Sequence, residues 1–156
     1  MGLRDNMLHE PVSRLDIAPG ILAPPDLPVR EAVRLMREGD QGCVVVVNEE
    51  GRPQGKFTEH QLADLIANRP CFMDDAVGQH MRRSWAVMSH NDPIVTLIHK
   101  LQDYRLRWVI VVDDEGKARG VLGQQALMQY LAEQFPRAVK NQPMETNAAI
   151  EAREGA

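Results

Sequence analysis

The 156 residues carry 18 basic and 22 acidic side chains, a formal charge of −4, and are 44% hydrophobic and 26% charged. This is enough chain for a compact core of ordinary soluble composition, with no general attraction for nucleic acid or an anionic membrane. No apolar run approaches the ~20 residues that span a bilayer. The first residues lack a signal-peptide core, and Asn6 stands where a myristoylation site needs Ser or Thr, so the expected address is cytoplasmic.

In chain order, residues 1–16 are mixed and weakly patterned and read as an arm. Residues 17–25 are short, proline-rich and extended. An amphipathic helix follows, with Val29, Ala32, Val33 and Met36 on one face and Arg30, Glu31, Arg34 and Arg37 on the other. Pro28 fits its first position and Gly39 its stop. Four β-branched residues, Val44 to Val47, then suit a strand covered on both faces, and Gly51 suits a turn with positive φ before a second strand. Thr58 opens a helix reaching about Asn68, with Leu62, Leu65 and Ile66 inward, and Pro70 ends it. Residues 74–81 read as a short linking helix. The next helix has Asp92 as N-cap before Pro93 and a stripe of Ile94, Leu97, Ile98 and Leu101. Val109 to Val112, with Gly116, repeat the strand and turn. A last helix, from Gln124 to about Phe135, carries Leu127, Met128 and Leu131. The polar residues that follow read as a flexible tail.

The chain repeats itself at a constant spacing of 65 residues. Pro28 pairs with Pro93, Val33 with Ile98, Met36 with Leu101, Gly51 with Gly116 and Leu62 with Leu127, while Ile21-Leu22-Ala23 aligns with Ala86-Val87-Met88. Two copies are too few and too long for a solenoid. Each reads strand, helix, strand, strand, helix, an α+β unit. Its two helices, covering a small sheet, cannot bury both of its ends alone, so the copies should pack together around a pseudo-twofold axis.

Cys43 heads a core strand and Cys71 lies in a connection, with no Cys-x-x-Cys spacing, so both are expected to be reduced. The five histidines show no metal-ligand spacing, and no nucleophile elbow, phosphate loop or dinucleotide fingerprint is present. No catalytic residues, metal or catalytic cofactor are expected.

The duplication, the element order and the strings Gly51-Arg-Pro-Gln-Gly-Lys-Phe-Thr-Glu-His-Gln-Leu62 and Gly116-Lys-Ala-Arg-Gly-Val-Leu122 resemble the cystathionine-β-synthase-type (CBS) domain in tandem, the Bateman module. The resemblance covers roughly residues 17–135, and Tyr130-Leu-Ala-Glu-Gln-Phe-Pro136 is similar to the end of small stand-alone bacterial members. It divides the chain into an arm (1–16), repeat one (17–69), a linker (70–83), repeat two (84–136) and a tail (137–156). It implies a regulatory module without catalysis, cytoplasmic and homodimeric as a flat disk. Such a module takes AMP, ADP, ATP or S-adenosylmethionine in the cleft between repeats and acts on a protein partner yet to be identified, with no nucleic acid or membrane involved.

The family's ribose signature is Gly, two apolar residues, Thr or Ser, two free positions, then Asp. Here Gly55, Phe57 and Thr58 fit, Lys56 interrupts the apolar pair and Gln61 replaces Asp; in the second copy Gly123 replaces the hydroxyl and Ala126 the acid. A carboxylate accepts two charge-assisted bonds from the ribose hydroxyls, whereas Gln61 offers one neutral oxygen and Ala126 none. Thr58-Glu-His-Gln61 also fits a capping box. Lys56, Arg105 and Arg107 would supply cations to a phosphate, and His90 lies in a loop facing the implied cleft. The candidate contacts are thus Leu22, Ala23, Lys56, Phe57, Thr58, Gln61, Met88, His90, Arg105 and Arg107. The alternative is an interaction module whose nucleotide sites have degenerated.

Overall fold

A computed structural model describes residues 2–83, 85–103 and 107–134 of the chain. In chain order the elements are α1 (Leu3–His9), β1 (Ile21–Ala23), α2 (Val29–Glu38), β2 (Cys43–Val47), β3 (Pro53–Thr58), α3 (Glu59–Asn68), α4 (Val77–His80), β4 (Val87–Ser89), α5 (Ile94–Asp103), β5 (Val109–Val112), β6 (Ala118–Leu122) and α6 (Gln124–Gln134). The strands form two three-stranded sheets of like order, β1-β2-β3 and β4-β5-β6. In each, the first pair is parallel and the second antiparallel.

The register carries the 65-residue spacing pair by pair. Ala23 lies opposite Val46 as Met88 lies opposite Val111, and Val44 opposite Phe57 as Val109 opposite Leu122. Both antiparallel pairs are irregular at the same point, between Val46 and Val47 and between Val111 and Val112. Both turns are built alike. Asn48 Oδ1 accepts from the Glu50 and Arg52 amides, and Asp113 Oδ1 from those of Glu115 and Lys117. Gly51 and Gly116 hold φ of 82° and 81°, where a Cβ is costly.

The unbroken valine run of β2 is explained by burial on both faces. Val44 and Val46 join Ala23, Phe57 and Leu65 in a core beneath α2 and α3. Val45 points the other way and packs with Ile110 and Val121 of the second sheet, with Trp85 and Trp108 at the margin.

Several details depart from the sequence reading. The first turns of α2 and α5 need no side-chain cap, because backbone carbonyls from elsewhere in the chain take their amides. Val29 N donates to Asp75 O, Arg30 N to Met73 O and Ile94 N to Glu10 O. Pro28 consequently sits at the cap, one residue before its expected place, and Asp92 turns its carboxylate to the Ser89 amide instead of capping α5. Gly39 keeps ordinary helical angles; the left-handed residue is Asp40, φ 47°. Asp40 N reaches Arg37 O and Gln41 N reaches Met36 O, the paired bonds of a Schellman ending. Ile66 is not inward but 66% exposed, since the buried positions of α3 are Gln61 and Leu65, one helical turn apart. Within α6, Met128 is 65% exposed and Tyr130 is the buried residue.

Residues 3–15 also carry a pattern in the folded chain. Residues 3–9 are helical, Val12 and Leu15 are buried, and residues 10–13 do what residues 75–78 do 65 positions later. Val12 N bonds Asp92 O as Val77 N bonds Leu27 O, and Ser13 N bonds His90 O as Gly78 N bonds Pro25 O. The expected tail lies outside the described residues.

Each outer strand is also joined by the segment that enters the other repeat. Lys56 and Arg82 exchange both backbone bonds at 3.0 and 2.8 Å, and Val121 N donates to Ala18 O at 3.0 Å. Gly55 and Gly120 permit these approaches. A Cβ on Gly55 would come within 2.7 Å of Arg82 O, and one on Gly120 would collide with the Ala18 carbonyl.

Candidate functional site

The end of β3 and the start of α3 carry Thr58 and Gln61, with Lys56 and Phe57 just ahead of them in the strand. Thr58 is the N-cap of α3 and forms a complete capping box with Gln61. The Thr58 amide and hydroxyl both donate to Gln61 Oε1, the latter at 2.8 Å. Gln61 is only 7% exposed, and its Nε2 has no partner among the described residues. A ribose hydroxyl would therefore meet a carboxamide oxygen already engaged by its own helix cap, beside an amide group in need of an acceptor.

Beside this cap, Glu59 N donates to Gly42 O at 3.2 Å, and the glutamate side chain lies across Gly42 so closely that a Cβ there would sit 2.8 Å from Glu59 Cδ. Arg107, just ahead of β5, brings a guanidinium from the second repeat to 3.7 Å from Glu59 Oε2. Both partners of this ion pair are mostly exposed, so it is weak and readily exchanged for another anion. Glu59 and Gly42 were not among the expected contacts. Their signal is positional: one follows the cap, and the other precedes the strand paired with it.

Lys56 is also at hand but is not free. It sits at the position equivalent to Val121, facing the sheet interface, and is 7% exposed with no ion-pair partner among the described residues. Burial holds its ammonium below the usual lysine range; Cys43 pulls the other way and Arg82 adds to the lowering. Cys43 itself is buried and unpaired, its thiol pushed up to about 11 chiefly by burial, as suits a small core residue. Cys71 is exposed and unpaired.

The remaining candidates are dispersed. Phe57 is fully buried in the core under α2 and α3, and Met88 is nearly so; neither presents a surface to a ligand. Arg105 lies outside the described residues. Leu22 and Ala23 lie within β1, paired with Val45 and Val46 and so toward the opposite end of β2 from Thr58, where they line an open cavity of about 680 Å³ with Pro24, Pro25, Asp26 and Glu49. His90 does not face the Thr58 end either. Its Nε2 lies 3.0 Å from Asp114 Oδ1 and its Nδ1 3.0 Å from the Arg119 guanidinium, while Asn91 Nδ2 donates to the same Asp114 oxygen at 2.8 Å. Since Arg119 can only donate, Nδ1 is the acceptor and Nε2 carries the proton to the carboxylate.

Among the described residues no group of three or more His, Cys, Asp or Glu is placed to hold a metal ion. Likewise, none of their helices is long and apolar enough to cross a membrane.

The model of the CBS domain matches twice, at residues 12–68 and 77–133. An uncharacterized protein of Methanopyrus kandleri is 30% identical over 119 residues, 76% of this chain; the chain spans 59% of that relative's length and 23% of a Methanocaldococcus jannaschii relative's. Among solved structures, the CBS domain pair of protein MJ0100, in complex with 5′-methylthioadenosine and S-adenosylmethionine, superposes with a TM-score of 0.70 at 19% identity, covering 80% of this chain and 98% of that one. The Pyrobaculum aerophilum CBS domain protein complexed with AMP gives 0.69 at 22% identity, covering 76% and 90%. Two like sheets in one register, each within a separate match to the same model, place this chain in the CBS domain family, as a tandem pair.

Proposed function

We propose that the chain is a non-catalytic regulatory CBS pair that takes an adenine-containing, anionic ligand at the Thr58 end of the first repeat and signals to a protein partner as a homodimer. The observation carrying this reading is Arg107, a cation of the second repeat set beside the N-terminus of α3 in the first, with a weak ion pair as its tether. A phosphate placed there gains a bidentate donor and the positive end of the helix together. That related pairs were crystallised with AMP, 5′-methylthioadenosine and S-adenosylmethionine supports the ligand class.

Calorimetric titration with AMP, ADP, ATP and S-adenosylmethionine tests it. Saturable binding is expected, weakened at least ~10-fold in Arg107→Ala by loss of the charge-assisted bonds. Gln61→Asp, which restores the ribose-binding acid, should tighten it. An absence of heat and of thermal shift at millimolar ligand in all three proteins would end the proposal.

A second reading, an interaction module without a ligand, is favoured by one feature. Gln61 Oε1 is occupied by Thr58. Under that reading the dimer surface carries the function. Light scattering decides whether there is one, and a monomer at micromolar concentration would remove the dimer from both readings.

A further inference from the structure

Two donors beside the cap of α3 are buried without an acceptor. Gln61 is fixed in its orientation: the Thr58 amide can only donate, so the side-chain oxygen faces it, and Nε2 is turned away, buried and without a partner among the described residues. An aspartate here would take the Thr58 amide and hydroxyl on one oxygen and keep a second acceptor for a ligand; the carboxamide keeps a donor instead. Lys56 lies two residues earlier on the same face of β3, opposite Val45 as Thr58 is opposite Cys43. It is 7% exposed, like Gln61, and its ammonium has no hydrogen bond or ion pair among the described residues. Besides burial, the group that acts most on this ammonium is the Cys43 thiol opposite Thr58, which sets it toward the capped end of the strand. Glu59, the acidic residue at the cap, pairs with Arg107 at the surface and meets neither donor. At the 65-residue spacing the second repeat has Val121 and Ala126 at these two places, and Val121 packs against Val45 and Ile110, so the fold accepts an apolar side chain where the lysine stands. A buried cation and a buried amide N–H both weigh against the folded state until an acceptor reaches them.

We propose that the first-repeat site selects a nucleotide whose ribose carries a phosphoryl group on its 2′ or 3′ oxygen, with Gln61 Nε2 and the Lys56 ammonium as the donors to that group. This rests on the reading of a nucleotide at the Thr58 end with a phosphate beside Arg107, and it assigns the other substituent of the sugar. A free diol brings two O–H protons to a place where the one side-chain oxygen, Gln61 Oε1, already accepts from the Thr58 amide and hydroxyl. Phosphoryl oxygens only accept, and they carry the negative charge that Lys56 lacks. The first repeat alone has this pair of donors, so the second repeat makes no such selection.

The test is isothermal titration of the full chain with adenosine 2′,5′-bisphosphate and adenosine 3′,5′-bisphosphate against adenosine 5′-diphosphate, an isomer of both with the same number of phosphates. One bisphosphate is expected to bind at least ~10-fold tighter than the 5′-diphosphate, and the one that does identifies the oxygen. Lys56→Met should remove most of that preference. Gln61→Asp should invert it, since a carboxylate repels the phosphoryl group and accepts from a free diol. Equal or tighter binding of the 5′-diphosphate to the unaltered chain would overturn the proposal without need of any variant and leave the nucleotide reading standing. A preference that survives both substitutions would also overturn it, by placing the phosphoryl group elsewhere. Silence from all three compounds at millimolar concentration would end it too, and with it the reading it rests on if AMP and S-adenosylmethionine are equally silent.

Discussion

Lys56 occupies a position whose counterpart is valine, and the fold bears a cost for it. A lysine whose folded pKa is lowered binds its proton less tightly folded than unfolded. The cost is therefore fully present at neutral pH and is relieved as the pH rises through the lowered value toward the ordinary 10.5. Lys56→Met should stabilise at pH 7 by about 1 kcal/mol, roughly 2–4 °C in melting temperature. That advantage should shrink toward pH 10.5. Cys43, raised from 9.0 to about 11, acts in the opposite sense over much of the same range, so variant and parent must be compared at each pH. An advantage that stays constant with pH would show that lysine charge is not its source. Thr58 has a cost attached to its removal under either functional reading: Thr58→Ala should lose ~1 kcal/mol in urea denaturation through the cap alone. Only weakening of nucleotide binding beyond that, at temperatures where both proteins are fully folded, would give the hydroxyl a role in recognition.

Among the elements, the two strand-to-strand turns are nearly interchangeable. Nothing lies within 4 Å of a Cβ built on Gly116, so its need for glycine is conformational. Gly116→Ala should cost ~1–2 kcal/mol and Gly116→Asn less, measured by thermal unfolding. Asp113, held below the usual carboxylate range chiefly by the Lys117 amide, contributes stability above its unfolded pKa that is lost as the pH falls through the lowered value. Asp113→Asn, which copies Asn48, should flatten that acid-side loss; an unchanged acid profile would mean the turn does not titrate as its bonds require. These turns were legible in the sequence because a positive-φ glycine after an apolar run leaves a local mark, and so were the double-faced β2 and β5. The helix starts were misplaced for the opposite reason. Asp75, Met73 and Glu10 carbonyls reach α2 and α5 from far along the chain, and no local pattern announces them. The candidate site was legible in part. Thr58 and Gln61 do meet, and Arg107 reaches the neighbouring Glu59, but burial of Lys56 and Phe57 depends on which face of β3 meets the second sheet, and alternation alone does not say which.

On the scale of the whole molecule, the motif glycines of the ribose signature acquire a second meaning. Gly55 and Gly120 are where the backbones of Arg82 and Ala18 cross the outer strands. Gly120→Ala should cost about 1–3 kcal/mol or more through overpacking against backbone that cannot rotate away. Its hydrogen exchange should show the Val121 amide unprotected; retained protection there would mean that the crossing survives a side chain. The crossings have a mechanical consequence too. The strand of chain leading into each repeat is fastened to the border of the other, so a tug on residue 18 is delivered to β6 through one backbone hydrogen bond, and a tug on residue 82 to β3 through two. Neither repeat can be strained from its entrance without loading its twin, which makes each repeat's entry segment a lever on the other.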